Sequence, residues 1–350
     1  MRVMVICDCS SEIGFGHIMR CLPLADELHN AYGCHISFAM KSDANGIAMV
    51  REHGYTVFNP IASTDFFDYK HWLNAAIVEV KPDIIVLDIR DDLPRSILSS
   101  WRACGIKIVT IDDPSERRLD ADLAFYPPVP QVSKMDWTGF SGQLYTGWEW
   151  VILRPEFSKH SASKNIYDRL QILVTMGGSD PAGLTLKVLA ALDGLNEEFD
   201  TKGVLGFSFM WNAELDALLG KAEREFTILR NVSNMAEVMS DAHFAIASFG
   251  VTAYELAAMG VPALYLCLTE DHAESATTFE QAGLAISLGN YATIDFAGEF
   301  IEKTRKFLTD KNLLQDLTHK NNTLIDACGA RRIAQTICEW VGENERVART

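Results

Sequence analysis

Among the residues able to move a proton, His17 is the one whose neighbours best suit the task. It closes the run Ser10-Ser11-Glu12-Ile13-Gly14-Phe15-Gly16-His17, where Gly14 and Gly16 let the backbone turn tightly and approach a ligand. The run is not a P-loop, because no Gly-Lys-Ser/Thr ends it. It is not a dinucleotide fingerprint either, because Met19 and Arg20 stand where the third glycine belongs. A histidine in the first turn of a helix faces the positive end of the macrodipole, which disfavours the imidazolium and keeps the ring neutral. A neutral imidazole accepts a proton; a histidine that only hydrogen-bonds its own loop fits the spacing as well. Asp8, just ahead of the loop, joins His17 in the expected catalytic pair, and Arg20, one turn later, suits either a phosphate or an acid.

The second half of the chain carries two further loops of this kind. Gly177-Gly178-Ser179-Asp180 follows an apolar run and precedes a helical one, so its amides can face an anion. Ser248-Phe249-Gly250-Val251-Thr252 offers more. Small Ser248 and Gly250 leave room for a diphosphate at a helix start, the Thr252 hydroxyl adds a donor, and Glu255 is spaced to accept ribose hydroxyls. The acids of Thr269-Glu270-Asp271-His272 suit a helix N-terminus without any further role. No HExxH and no His/Cys set at metal spacing is present, so neither a metal nor another cofactor is expected.

These loops need strands to present them. Arg2 to Ile6, His35 to Met40, Tyr55 to Phe58, Asp83 to Leu87 and Ile106 to Ile111 read as buried strands, alternating with helical patterns such as His17 to Tyr32, stopped by Gly33. Alternation of this kind implies a parallel sheet, and ligands gather beyond the carboxyl ends of its strands. Asp8, Asp88 and Asp112 therefore share one rim. The Pro-rich, aromatic stretch from Phe125 to Phe157 reads as irregular and as the interdomain connection. A second α/β series starts at Leu170 to Thr175, continues through Gly203 to Gly206, Thr227 to Leu229, Phe244 to Ala247, Ala263 to Cys267 and Ala285 to Ser287, and ends in a helical tail after Asp295. The expected organisation is two Rossmann-like domains facing across a cleft, residues 1–150 and 151–350, with the tail in the second.

The length of 350 residues suits two such cores. A formal net charge of −16 opposes any grip on a phosphate backbone, so nucleic acid is not an expected partner. No apolar run is long enough to cross a bilayer and the apolar start is too short for a signal peptide, which points to the cytoplasm. The eight cysteines are scattered and read as reduced thiols, with Cys7 and Cys9 near the first loop.

Taken together, these residues resemble a known family over nearly the whole chain. The run is Asp8, Ile13-Gly14-Phe15-Gly16-His17, Arg20-Cys21, Ile111-Asp112-Asp113 and Leu153-Arg154-Pro155-Glu156-Phe157. It continues with Gly177-Gly178-Ser179-Asp180-Pro181, then Gly250, Thr252, Glu255, Gly260-Val261-Pro262 and Gly329-Ala330-Arg331-Arg332-Ile333. The order is similar to that of the UDP-sugar hydrolases of pseudaminic acid biosynthesis and the related spore-coat polysaccharide proteins, which have the GT-B fold. The resemblance implies a UDP-linked 2,4-diacetamido-2,4,6-trideoxy sugar as substrate, with water activated by His17 attacking the anomeric carbon to release UDP. Three positions depart from the family pattern: Ile6 replaces an arginine, Ile89-Arg90 follows Asp88 in place of His-Tyr, and Asp271-His272 replaces Asn-Gln. The sugar side is thus altered, with Asp88, Arg90, Asp271 and His272 as candidate contacts. Glycosyl transfer by the same fold, and a sugar-nucleotide-binding protein without activity, remain as alternatives.

Overall fold

Strand β1 (Arg2–Cys7) shows why the first sheet is parallel and covered on both sides. Val3, Val5 and Cys7 enter one hydrophobic cluster while Met4 and Ile6 enter another on the opposite face. β4 (Ile84–Asp88) divides in the same way, with Ile84 and Val86 on one side and Ile85 and Leu87 on the other. A strand buried on both faces has to be apolar at successive positions, which is how both runs read.

The computed structural model describes residues 1–9, 15–41, 44–60, 68–91, 93–158 and 169–348. They fall into two units, Met1–Arg154 with Ala327–Thr350, and Pro155–Asp326. The first unit adds β2 (His35–Ala39), β3 (Thr56–Phe58), β5 (Lys107–Ile111), β6 (Leu123–Tyr126) and β7 (Gln143–Thr146) in the order β3-β2-β1-β4-β5-β6-β7. Its helices are α1 (Gly16–Tyr32), α2 (Ala44–Glu52), α3 (Tyr69–Val80), α4 (Arg95–Ala103) and the short α5 (Gln131–Lys134). Gly33 ends α1 in a left-handed cap at φ 65°, as its placement after the helical pattern predicts.

The second unit has β8 (Leu170–Thr175), β9 (Phe199–Leu205), β10 (Thr227–Arg230), β11 (Phe244–Ser248), β12 (Ala263–Cys267) and β13 (Ala285–Asn290), ordered β10-β9-β8-β11-β12-β13. Between and after them run α6 (Leu184–Asp193), α7 (Asn212–Leu219), α8 (Met235–Asp241), α9 (Val251–Ala258), α10 (Glu270–Gln281), α11 (Glu299–Thr309) and α12 (Lys311–Leu324). Every pair in both sheets is parallel. In each sheet the strand order reverses beside the first strand, between β1 and β4 and between β8 and β11. Such reversal points leave a crevice at the carboxyl ends, where loops on either side diverge.

Three expectations need correction. The stretch after Phe125 is not simply a connection, since β6 and β7 extend the first sheet there and Phe125 stacks on Tyr145 at 4.8 Å. Both strands are four residues long, too short to show a period, and Pro127 and Pro128 follow β6 at once. The last helix, α13 (Gly329–Ala348), belongs to the first unit and not to the second. Its stripe Ala330, Ile333, Ala334 and Ile337 lies in the same cluster as Leu24, Ala25 and Leu28 of α1. Cys7 and Cys9 are buried in that cluster as well, so they pack inward. No helix of the described residues is long and apolar enough to cross a membrane.

Candidate functional site

β1 and β4 are neighbours in register, with Cys7 opposite Asp88, so the loop into α1 starts beside the end of β4. His17 and Arg20, three residues apart on α1, share one helix face and both reach Asp88. His17 Nδ1 lies 2.7 Å from Asp88 Oδ1. Arg20 donates to the same carboxylate from Nε and Nη2, each at 2.5 Å, and Cys21 Sγ approaches Oδ2 at 3.5 Å. The Asp88 side chain is fully buried, whereas His17 and Arg20 are 11% and 15% exposed. Burial by itself would push the Asp88 carboxyl up, but the Arg20 guanidinium and His17 hold it well below the usual carboxylate range. Arg20 is likewise held in its charged form against desolvation by Asp88 and Asp112.

The chain of charges continues along the rim. Arg20 Nη1 donates to Asp112 at 3.1 Å, and Arg90 donates to the Asp112 carboxylate at 2.7 Å and to its carbonyl at 2.5 Å. Asp112 adopts a left-handed backbone at φ 51°, which Asp tolerates better than most residues and which points its carboxylate and carbonyl toward the same guanidinium. Arg20 is therefore bound to rim acids, one of its two expected roles. Arg90 spends its donors on Asp112.

Asp8 is engaged elsewhere. Its carboxylate accepts from the Lys41 amide at 3.1 Å and lies 3.7 Å from Lys41 Nζ, which is 2.9 Å from Asp91. Burial pushes the Asp8 carboxyl up against the pull of Lys41. The acid hydrogen-bonded to His17 is Asp88, not Asp8. Sequence reasoning missed Lys41, Asp91 and the buried Arg117, which joins Asp91 to Asp113. The acids Asp8, Asp88, Asp91, Asp112 and Asp113 and the cations Arg20, Lys41, Arg90 and Arg117 were visible as types; their pairing depends on strand order. Gly16 is the first residue of α1, and Gly14 lies outside the described residues.

The second unit repeats the arrangement with other chemistry. β8 and β11 are adjacent, Thr175 opposite Ala247, so the loops holding Gly177-Gly178 and Ser248-Gly250 emerge side by side. The two helix starts differ. The Asp180 carboxylate accepts from the Leu184 and Thr185 amides at 2.8 and 2.9 Å, so the start of α6 already holds an anion. Gly250 precedes α9 and gives it no side-chain cap, leaving the first amides beside Thr252 without a carboxylate of this kind. Glu255 is buried one turn on. Phe249 brings α10 to the same place, its ring 6.1 Å from that of His272. His272 Nδ1 is buried with no hydrogen-bond partner among the described residues, and burial lowers the imidazole pKa despite the neighbouring Asp271. No cluster of His, Cys, Asp or Glu fit to hold a metal occurs among the described residues.

Two substitutions test this geometry. Asp180→Ala removes both acceptors from the α6 start and should lower stability by about 1–2 kcal/mol, read from the denaturant midpoint. A Cβ at Gly206 would collide with the Gly178 backbone, to which Ser208 also donates at 3.0 Å. Gly206→Ala should therefore displace the glycine loop, and a lowered denaturant midpoint would report it.

Two parallel sheets, each reversing beside its first strand, define a two-domain α/β protein of the GT-B fold. Within that class the chain is a homologue of the spore coat polysaccharide biosynthesis protein SpsG of Bacillus subtilis, at 27% identity over 83% of this chain and 84% of SpsG. It is also related to the UDP-2,4-diacetamido-2,4,6-trideoxy-beta-L-altropyranose hydrolase of Campylobacter jejuni, at 24% identity over 82% and 98% of the two chains. An uncharacterized protein of Methanocaldococcus jannaschii is 32% identical over 77% of this chain, which spans only 56% of that longer protein. No protein-family model matches. Among solved structures, Acinetobacter baumannii MurG superposes with a TM-score of 0.72 at 15% identity, covering 97% of this chain and all of MurG. Staphylococcus aureus MnaA with UDP superposes at 0.67 and 12%, covering 97% of each chain.

Proposed function

We propose that this chain is a UDP-sugar hydrolase of surface-polysaccharide biosynthesis, acting on a 2,4-diacetamido-2,4,6-trideoxy sugar or a close relative of it. The observation that carries the reading is the His17 imidazole held 2.7 Å from a buried, ionised Asp88 at the carboxyl rim of the first sheet. Homology to a hydrolase of such a sugar, over 98% of that enzyme, supports the substrate class.

In this reaction His17 takes a proton from water as its oxygen bonds to the anomeric carbon. The bond from that carbon to the phosphate oxygen breaks, and UDP leaves with the electron pair. The uncapped start of α9 supplies amides for the diphosphate, with Gly177, Gly178, Ser248 and Thr252 beside it and Glu255 for the ribose. The altered residues Asp271 and His272 tune the choice of sugar.

Incubation with a panel of UDP-sugars and no acceptor should release UDP and free sugar from at least one donor. Release only when a hydroxyl acceptor is added would make the chain a glycosyltransferase. Binding of UDP with no turnover under either condition would make it a non-catalytic sugar-nucleotide-binding protein.

A further inference from the structure

We propose that Asp88 fixes His17 in the tautomer with its hydrogen on Nδ1, leaving Nε2 as the atom that takes the proton, and that Arg20 holds Asp88 for this purpose. Asp88 and Arg20 are then positioning residues and not contacts to the sugar. As an assignment of catalytic roles the inference rests on the function proposed above; as a statement about the imidazole it does not.

Among the described residues, the partners of the Asp88 carboxylate other than His17 are all donors. Oδ1 faces His17 Nδ1 at 2.7 Å and Arg20 Nη2 at 2.5 Å, while Oδ2 faces Arg20 Nε at 2.5 Å and Cys21 Sγ at 3.5 Å. An ionised carboxylate can only accept, and a guanidinium can only donate. A bare Nδ1 lone pair 2.7 Å from a carboxylate oxygen would be repelled, so that nitrogen must carry the hydrogen. Arg20 Nη2 also stands 3.5 Å from Nδ1, at the outer limit of a hydrogen bond, and its short contact is the one to Asp88.

The two arms of Arg20 explain why the carboxylate does not swing away. Nε and Nη2 grip both oxygens of Asp88 as a fork, and Nη1 is anchored on Asp112. Asp112 is in turn held by Arg90. The acids and cations of this face thus form one sequence, His17-Asp88-Arg20-Asp112-Arg90, with Asp8 tied to Lys41 beside it. This accounts for Asp88 lying fully buried at the end of β4, where a residue meant to touch a sugar would need an exposed oxygen.

The test is nitrogen-15 spectroscopy of the histidine rings in the full chain, with His17→Gln to assign the signals. The expected result at mildly alkaline pH is a protonated Nδ1 and a bare Nε2. Asp88→Asn, checked for folding by circular dichroism, should move the hydrogen to Nε2 and lower kcat by about 10²-fold or more with KM little changed. A purely structural Asp88 would leave the tautomer unmoved. Wild-type His17 with its hydrogen on Nε2, or an Asp88→Asn chain that keeps both tautomer and kcat, overturns the proposal. Should Asp88→Asn fail to fold, the wild-type spectrum still decides. A protonated Nδ1 in a protein that turns over no UDP-sugar sinks the proposed function and supports the tautomer assignment.

Discussion

His17→Ala is expected to slow UDP release by about 10²- to 10⁴-fold, the usual contribution of a positioned general base. UDP affinity should stay within about twofold, because the loops proposed to hold the diphosphate lie in the second unit while His17 lies on α1 of the first. Removing the ring leaves Asp88 still gripped by Arg20, so the buried carboxylate keeps its partner and the fold should survive. Steady-state kinetics on the donor found in the UDP-sugar panel, paired with UDP calorimetry, separates the two quantities. Equal loss of turnover and of UDP affinity would place the effect in folding instead of proton transfer.

Ile337→Ala should lower stability by about 2–5 kcal/mol, the cost of emptying a buried site of this size. Ile337 is wholly buried on α13, in line with Ile333 and Ala334 and in one cluster with α1. The effect belongs to the unit that contains His17, although residue 337 stands 320 positions from it in the chain by subtraction of the two numbers. Glu339→Ala, on the exposed side of the same helix, should shift the midpoint by no more than about 0.5 kcal/mol. Chemical denaturation followed by tryptophan fluorescence gives both values, with separate transitions fitted for the two units where they appear. If Ile337→Ala leaves every midpoint in place, α13 does not stabilise the first core.

Much of this molecule was written in local pattern. The apolar runs of β1, β4 and β8 demanded burial on both faces, and Gly33 marked the end of α1 because only a residue at ease with positive φ closes a helix that way. His17 stood out from its loop and from the helix that follows. β6 and β7 did not, since four-residue strands carry no measurable period and their pairing is a long-range event. The helical stripe of α13 was equally visible, but a stripe records that a helix needs a core and not which core.

The same limit governed the site. Residue types and strand ends put Asp8, Asp88 and Asp112 on one rim, and sequence proximity favoured Asp8 as the partner of His17. Strand order decided otherwise: β4 lies against β1, which carries Asp88 to the mouth of the first loop, while β2 brings Lys41 to Asp8. In the second unit the sequence already favours the Ser248–Thr252 start over the Gly177–Asp180 one, and only the fold shows Asp180 turned back onto the amides of α6. Local sequence determines which groups can do chemistry because propensity and burial act over a few residues. Which groups meet is settled by the tertiary fold, because side chains 68 and 71 residues apart feel one another only once the sheet has aligned their strands.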